Sequence, residues 1–307
     1  MKEPIGVLCG GPSREREISL RSGRAVQEAL AAQGLDAFLF PLSQELHQIA
    51  DELNGRSMGS AFIALHGPFG EDGTIQALLE EKGIPYTGSG VEACRYGTDK
   101  VHSRRRWLAA GLPVPEWRQG DPDSLLARMR EFRYPLMLKP RAEGSSLGMS
   151  IVDGPEDLPT ALREAEEFGP DLLLEEYLPG KELTVGILQD RPLPVIQIVP
   201  KRRFYDYVAK YTPGMTDYLV PAPLTDRMAR IVQDIALRAH EALGCRSFSR
   251  VDLILVEGRG PVLLELNPIP GLTETSLLPK AAAAAGVSFG ELCRLMLISS
   301  VPVEAPA

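Results

Sequence analysis

The chain has 307 residues, with 33 lysines and arginines against 41 aspartates and glutamates, a net charge of −8. That length supports two or three domains with buried cores, and the acidic balance argues against nucleic acid as a partner while leaving room for a local basic pocket. The four cysteines, Cys9, Cys94, Cys245 and Cys293, form no Cys-x-x-Cys pair, so they read as reduced thiols and not as a zinc site or a disulfide frame. The start, Met1 to Gly10, has too short an apolar run for a signal peptide. No stretch reaches the roughly 20 apolar residues of a membrane span. A soluble cytoplasmic enzyme without membrane contact is expected.

Ile5 to Cys9 reads as a buried strand, followed by Gly10-Gly11 and a helix from about Ser19 to Gln33. Ala37 to Phe40 and Ala61 to Leu65 are further strands, and Ile75 to Lys82 a helix. Strand and helix alternating in this way imply a parallel sheet with its functional loops at the strand carboxyl ends. His66-Gly67-Pro68-Phe69-Gly70-Glu71-Asp72-Gly73 is such a loop. From Asp99 a helix runs to Ala110, then a strand at Leu136 to Lys139, a glycine-serine loop at Gly144 to Gly148, a return strand at Met149 to Val152, and a helix near Leu158 to Phe168. Leu172 to Glu175 is another strand, ending at Leu178-Pro179-Gly180, a domain hinge. Strands at Glu182 to Leu188 and Val195 to Val199 follow, then an irregular stretch from Lys201 to Thr216, a helix from Asp226 to Leu243, a hairpin and a final helix.

The hairpin carries the most chemistry. Arg250 to Leu255 and Leu263 to Asn267 have strand-like alternation, and Glu257-Gly258-Arg259-Gly260 between them has turn residues. Alternation puts Arg250 and Asp252 on one face, and Glu265 and Asn267 likewise. A core cannot hold Asp and Glu side by side without a compensating cation, and oxygen ligands suit a hard divalent metal beside a phosphate-bearing substrate. The expectation is a magnesium site.

Lys139 stands at a strand end before Gly144-Ser145-Ser146-Leu147-Gly148, where backbone N–H groups, hydroxyls and the lysine charge suit phosphate. This is not Walker spacing, and an ordinary hairpin loop with a solvated lysine fits the same residues. Lys100 in a first helical turn is by itself usually solvated. Glu15 after Gly10-Gly11-Pro12-Ser13 suits a substrate ammonium, although a helix-start acid beside the dipole is the commoner case. Tyr205-Asp206-Tyr207-Val208-Ala209-Lys210-Tyr211 reads either as a lid or as a packed surface loop. Asn267 to Leu277 starts as a rigid turn whose N–H groups suit a carboxylate or an oxyanion. Of the histidines only His66 sits in a motif-like loop; His47, His102 and His240 lie in helical, polar surroundings.

Taken in order, these residues resemble the D-alanine:D-alanine ligases of the ATP-grasp superfamily, over nearly the whole chain. His66-Gly-x-x-Gly70-Glu71-Asp72-Gly73 resembles the family's first signature, and Arg250-x-Asp252 through Glu265-x-Asn267-Pro268-x-Pro270-Gly271 its second. Gly10-Gly11-x-Ser13-x-Glu15-Arg16-Glu17-Ile18-Ser19, the lysine-glycine-serine loop and Tyr207-x-x-Lys210-Tyr211 also match. The resemblance implies an α/β (α+β) fold with three domains, 1–96, 97–180 and 181–307: a parallel-sheet domain, then two antiparallel-sheet domains that sandwich ATP. It places Lys100, Lys139 and Lys210 on ATP phosphates, Glu175, Glu176, Tyr177 and Leu178 at the adenine, and Glu182 on ribose. It also implies that Asp252, Glu265 and Asn267 carry two Mg²⁺ ions, replaceable by Mn²⁺.

By the same resemblance Glu15 takes the ammonium of the first D-alanine through a network with Ser145 and Tyr211. Arg250 and the Gly271 N–H steady an oxyanion, Ser276 and Leu277 grip the second substrate's carboxylate, and His66 lies at the substrate. The implied reaction makes D-alanyl-D-alanine for peptidoglycan through an acyl phosphate, in a homodimer. D-Lactate, D-serine or another amino acid as acceptor, or a silent nucleotide-binding homologue, are the alternatives. Ser247 and Ser249 depart from the family's usual glycines, and Pro12 and Val208 from its usual loop and lid residues.

Overall fold

A computed structural model describes residues 4–273 and 275–300; Met1, Lys2 and Glu3 of the start segment and Glu274 of the turn after the hairpin lie outside the described residues. Strands β1 (Ile5–Gly10), β2 (Ala37–Leu42) and β3 (Ser60–Ile63) form a parallel sheet in the order β2-β1-β3. All of β1 is buried, as expected of an apolar run between helical layers. The helix after it starts at Arg16, earlier than expected, with Glu15 at its N-cap position. The Glu15 side chain makes no capping bond, so its carboxylate is free to face elsewhere. The helix Leu46–Asn54 was not anticipated; it is short and buries only Ile49 and Leu53.

The second sheet is antiparallel, in the order β4-β7-β5-β6: β4 (Trp117–Gly120), β5 (Leu136–Pro140), β6 (Ser150–Val152) and β7 (Leu172–Glu176). Strand β4, Trp-Arg-Gln-Gly, escaped the sequence reading because it is a half-exposed edge without alternation. Three residues after β7 the chain enters the third sheet. Its strands are β8 (Gly180–Leu188), β9 (Arg191–Pro192), β10 (Ile196–Pro200), β11 (Thr216–Leu219), β12 (Phe248–Val256) and β13 (Gly260–Asn267). They run antiparallel in the order β11-β10-β8-β12-β13, with β9 paired to β8. The stretch read as irregular contains the short helix Tyr207–Tyr211, capped by the Asp206 side chain through Ala209 N at 2.8 Å, and leads directly into β11. The end of the chain folds as two helices, Leu277–Ala284 and Phe289–Ile298, where one was expected.

The sheets share cores. Ile5, Val7, Val26 and Phe62 of the first unit pack with Ile196, Phe248, Leu278 and Met296 of the third. The helix Lys100–Ala109, expected to open the central domain, sends the fully buried Trp107 into the core under the third sheet, where its indole N–H donates to Ala239 O at 3.0 Å. Among the described residues no single helix is long and apolar enough to cross a membrane. The pair Leu277–Ala284 and Phe289–Ile298 is apolar enough only when joined, and is bent by 103°. Both helices bury their apolar faces in the shared core.

Trp107→Ala should cost about 3–5 kcal/mol, the usual range for emptying a large aromatic site. The check is the shift in urea midpoint at unchanged slope; a shift under about 1 kcal/mol would place the helix outside the core.

Candidate active site

The hairpin forms as the alternation predicts. Across it Arg250 faces Asn267 and Asp252 faces Glu265, so the four polar side chains share one face. The register then slips: Leu253 faces Leu263, which leaves Leu264 as an extra, bulged residue. The slip explains why the apolar residues Leu263 and Leu264 adjoin without breaking the pattern of the polar ones. Arg250 clamps Asp252 with Nε and Nη2 at 3.0 and 2.9 Å; Thr184 Oγ1 adds a bond at 2.6 Å and Asn267 Nδ2 one at 3.3 Å.

Protein cations surround these acids and supply part of the compensating positive charge that the sequence argument called for. Burial alone would push the Glu265 carboxyl up, but Lys210, Lys100, Lys139 and Arg250 together outweigh it and bring it down to about 2. Among the described residues no group of three or more His, Cys, Asp or Glu gathers as a metal cage. Asp252, Glu265 and Asn267 still offer oxygen donors side by side on one face, and the Glu265 carboxylate accepts no hydrogen bond from a described residue. That donor set fits a hard divalent cation.

Two adjoining cavities flank the hairpin. The smaller, about 320 Å³, lies between the second and third sheets and is lined by Lys139, Glu175, Glu176, Tyr177, Leu178, Glu182, Lys210, Asp252 and Glu265. The larger, about 670 Å³, is lined by Glu15, His66, Lys100, Ser145, Tyr211, Arg250, Asn267, Gly271, Ser276 and Leu277. Among the described residues, only Tyr205, Lys210 and Glu265 line both. Lys100, which the resemblance placed with the nucleotide, sits on the wall of the larger cavity, its Nζ 2.5 Å from Glu143 O. Burial brings its pKa down to about 8, with Lys139 and Arg104 adding to the effect and Glu265 opposing it.

In the smaller cavity Lys139 is buried and its Nζ lies 2.7 Å from Glu175 Oε2. Glu175 is committed to Lys139 and to Arg104, so it lines the wall through a neutralised carboxylate. The Glu176 carboxylate accepts from Glu116 N at 2.9 Å and from Arg259 at 2.6 Å. Glu182 is different: burial pushes it up to about 7, helped by Asp252 and Glu265 and opposed by Lys210 and Lys139.

In the larger cavity Ser145 Oγ donates to Glu15 Oε1, and the Tyr211 hydroxyl lies 2.8 Å from Ser145 Oγ and 3.2 Å from Glu15 Oε1. One residue from each sheet unit meets here. Burial and the neighbouring Glu71 raise the Glu15 carboxyl, against the bonds from Ser145 and Tyr211 and the field of His66. A Cβ on Gly67 would come 2.7 Å from Glu15 Oε2, so the glycine of the first motif makes room for the carboxylate. His66 is buried, with Nε2 2.9 Å from Ser22 Oγ. Ser276 stands at the N-cap position of the helix Leu277–Ala284, but its side chain makes no capping bond. Its Oγ takes the Thr273 N–H at 3.1 Å, and Gly271 lies so close that a Cβ there would sit 2.8 Å from that Oγ.

The departures do not reach the cavities. Ser249 Oγ lies 2.7 Å from His240 Nδ1, and Ser247 Oγ 2.8 Å from Ser300 Oγ. Ser247 holds φ +68, a conformation that glycine adopts without strain. His240, expected in polar surroundings, is buried; it also reaches Asp190 Oδ1 at 3.1 Å, and burial lowers its pKa. Two residues escaped the sequence reading. Tyr205, at the junction, was legible only as one of several tyrosines in the segment. Arg104 does have a sequence signal, as a cation one helical turn after Lys100 on a face shared with Trp107.

A nucleotide-sized slot between antiparallel sheets, opening through a lysine and a carboxylate into a second cavity, is the arrangement of an ATP-grasp ligase. The model of the D-ala D-ala ligase C-terminus matches residues 107–298, and that of the N-terminus residues 42–89. The D-alanine–D-alanine ligase of Desulforudis audaxviator is 47% identical over 299 residues, 95% of this chain and 96% of that one. The crystal structure of the D-alanine–D-alanine ligase from Bacillus anthracis superposes with a TM-score of 0.85 at 32% identity, covering 97% of each chain. Its complex with ATP gives 0.83 at 29%, again over 97% of each. The chain belongs to the D-alanine–D-alanine ligase family.

Tyr211→Phe removes the hydroxyl that spans Ser145 and Glu15. It should lower kcat/KM for D-alanine about tenfold to a hundredfold, as expected for a lost bond to a charged group, with the KM for ATP within twofold. Equal loss in both would place Tyr211 at the nucleotide.

Proposed function

We propose that this chain joins two D-alanines into D-alanyl-D-alanine, using ATP and releasing ADP and phosphate, for peptidoglycan precursor synthesis in the cytoplasm. The observation that carries this reading is the junction: Lys210 and Glu265 stand where the slot between the sheets opens into the cavity that holds Glu15, Ser145 and Tyr211. A phosphoryl group at the end of a nucleotide would meet a carboxylate bound from the other side.

In this reading Tyr177 and Leu178 face the adenine with the walls of Glu175 and Glu176, and Glu182 accepts from the ribose. Lys139, Lys210 and Lys100 hold the phosphates. Glu15, ordered by Ser145 and Tyr211, takes the ammonium of the first D-alanine, and His66 lies against that substrate. The first carboxylate attacks the γ-phosphorus and ADP leaves, giving an acyl phosphate. The second amine, deprotonated, attacks the acyl carbon; Arg250 and the Gly271 N–H stabilise the oxyanion, and phosphate departs as the amide forms. Ser276 and Leu277 hold the second carboxylate at the start of their helix. Asp252, Glu265 and Asn267 would hold Mg²⁺, two ions, with Mn²⁺ able to replace them. The metal would neutralise charge gathered on the phosphates.

Incubation with ATP, Mg²⁺ and D-alanine should release phosphate and form the dipeptide; turnover confined to another amino acid would sink the substrate assignment. Glu265→Gln should lower kcat about a hundredfold or more with the melting temperature retained, and unchanged turnover would mean the metal-holding carboxylate is misplaced. The Glu182 carboxyl, near 7, is ionised above that pH and neutral below it. The KM for ATP should therefore rise by up to about tenfold between pH 8 and pH 6, and Glu182→Gln should remove that dependence. A wild-type profile in the variant would assign the titration to another group.

A further inference from the structure

Arg104 lies outside every motif, yet it is fully buried, on the helix Lys100–Ala109. A buried guanidinium is costly unless its donors are matched; here Nη1 and Nη2 are hydrogen-bonded, and Nε meets a carboxylate as an ion pair without a hydrogen bond. Its Nε is in ion-pair contact with Glu175 Oε1, Nη1 donates to Lys100 O at 2.9 Å, and Nη2 donates to Leu264 O at 3.0 Å.

Two of those contacts lead to the nucleotide slot. Leu264 is the bulged residue of the hairpin, so its carbonyl lacks a regular ladder position. Arg104 supplies the missing donor, next in sequence to Glu265. Glu175, on β7, also holds Lys139 Nζ at 2.7 Å. A lone Glu175 beside Lys139 would quench the lysine charge; with Arg104 sharing that carboxylate, the buried trio keeps a net positive charge facing the cavity. One guanidinium thus touches the groups behind both Lys139 and Glu265, which stand on different sheets.

We propose that Arg104 is a positioning residue for the nucleotide: it sets the bulge that aims Glu265 and, through Glu175, the charge and place of Lys139. This rests on the ligase reading of the cavities above. Lysine carries the charge but a single ammonium, and cannot reproduce a fork spread over Glu175, Lys100 O and Leu264 O. The geometry of the fork, and not charge alone, therefore decides.

The test uses the full chain with Arg104→Lys and Arg104→Gln. Phosphate release is measured against ATP and against D-alanine, ADP binding is measured by calorimetry without turnover, and melting temperature is recorded. Expected are a KM for ATP and a Kd for ADP raised about threefold to tenfold in Arg104→Lys and more in Arg104→Gln, with the KM for D-alanine within twofold. A folded Arg104→Lys with wild-type KM for ATP and Kd for ADP overturns the proposal, as does a parallel rise in both KM values. If neither variant folds, the residue is structural and the proposal fails. Wild-type turnover of ATP and D-alanine is read in the same experiment, so a failure of the ligase reading shows there and not in the variant ratios.

Discussion

Everything in this molecule depends on one electrostatic balance: acids and cations buried together where two cavities meet. Glu265 stays ionised in a buried place because Lys210, Lys100, Lys139 and Arg250 surround it. Asp252 stays ordered because Arg250, Thr184 and Asn267 hold it. Without those cations, burial would push the Glu265 carboxyl toward its protonated form. Gathered on paired strands among those cations, the two carboxylates form a fixed array of charge that is in place before any ligand binds.

The larger cavity uses a different device. Glu15, Ser145 and Tyr211 come from three separate sheet units, and each is placed by an unremarked local feature: a helix start without a capping bond, a loop after β5, and a helix of five residues capped by Asp206. Hydrogen bonds among the three tie the units together at the wall of the larger cavity. The shared core beneath, with Ile5 and Phe62 against Phe248 and Met296, gives that closure a rigid base.

Much of the fold was legible because its signals are local. The buried run Ile5 to Cys9, the helices that begin at Asp99 and Asp226 and the alternation in the hairpin each state their structure within a few residues. What escaped was weakly patterned: the exposed edge strand Trp117–Gly120, the short helix Leu46–Asn54, and the helix and strand inside the segment read as irregular. Ser247 and Ser249 stood out as departures, but only the folded chain shows them turned toward Ser300 and His240.

The sequence by itself determined the residue types, their order and their periodicity, and so the hairpin face that carries Arg250, Asp252, Glu265 and Asn267, together with the family of the chain. Tertiary structure alone decided that the compensating charges are Lys100, Lys139 and Lys210, that Leu264 bulges, and that Arg104 reaches Glu175 and the hairpin at once. The physical reason is range. Alternation and capping act over a few residues of chain, whereas the field at a buried carboxylate sums charges that folding brings from anywhere along it.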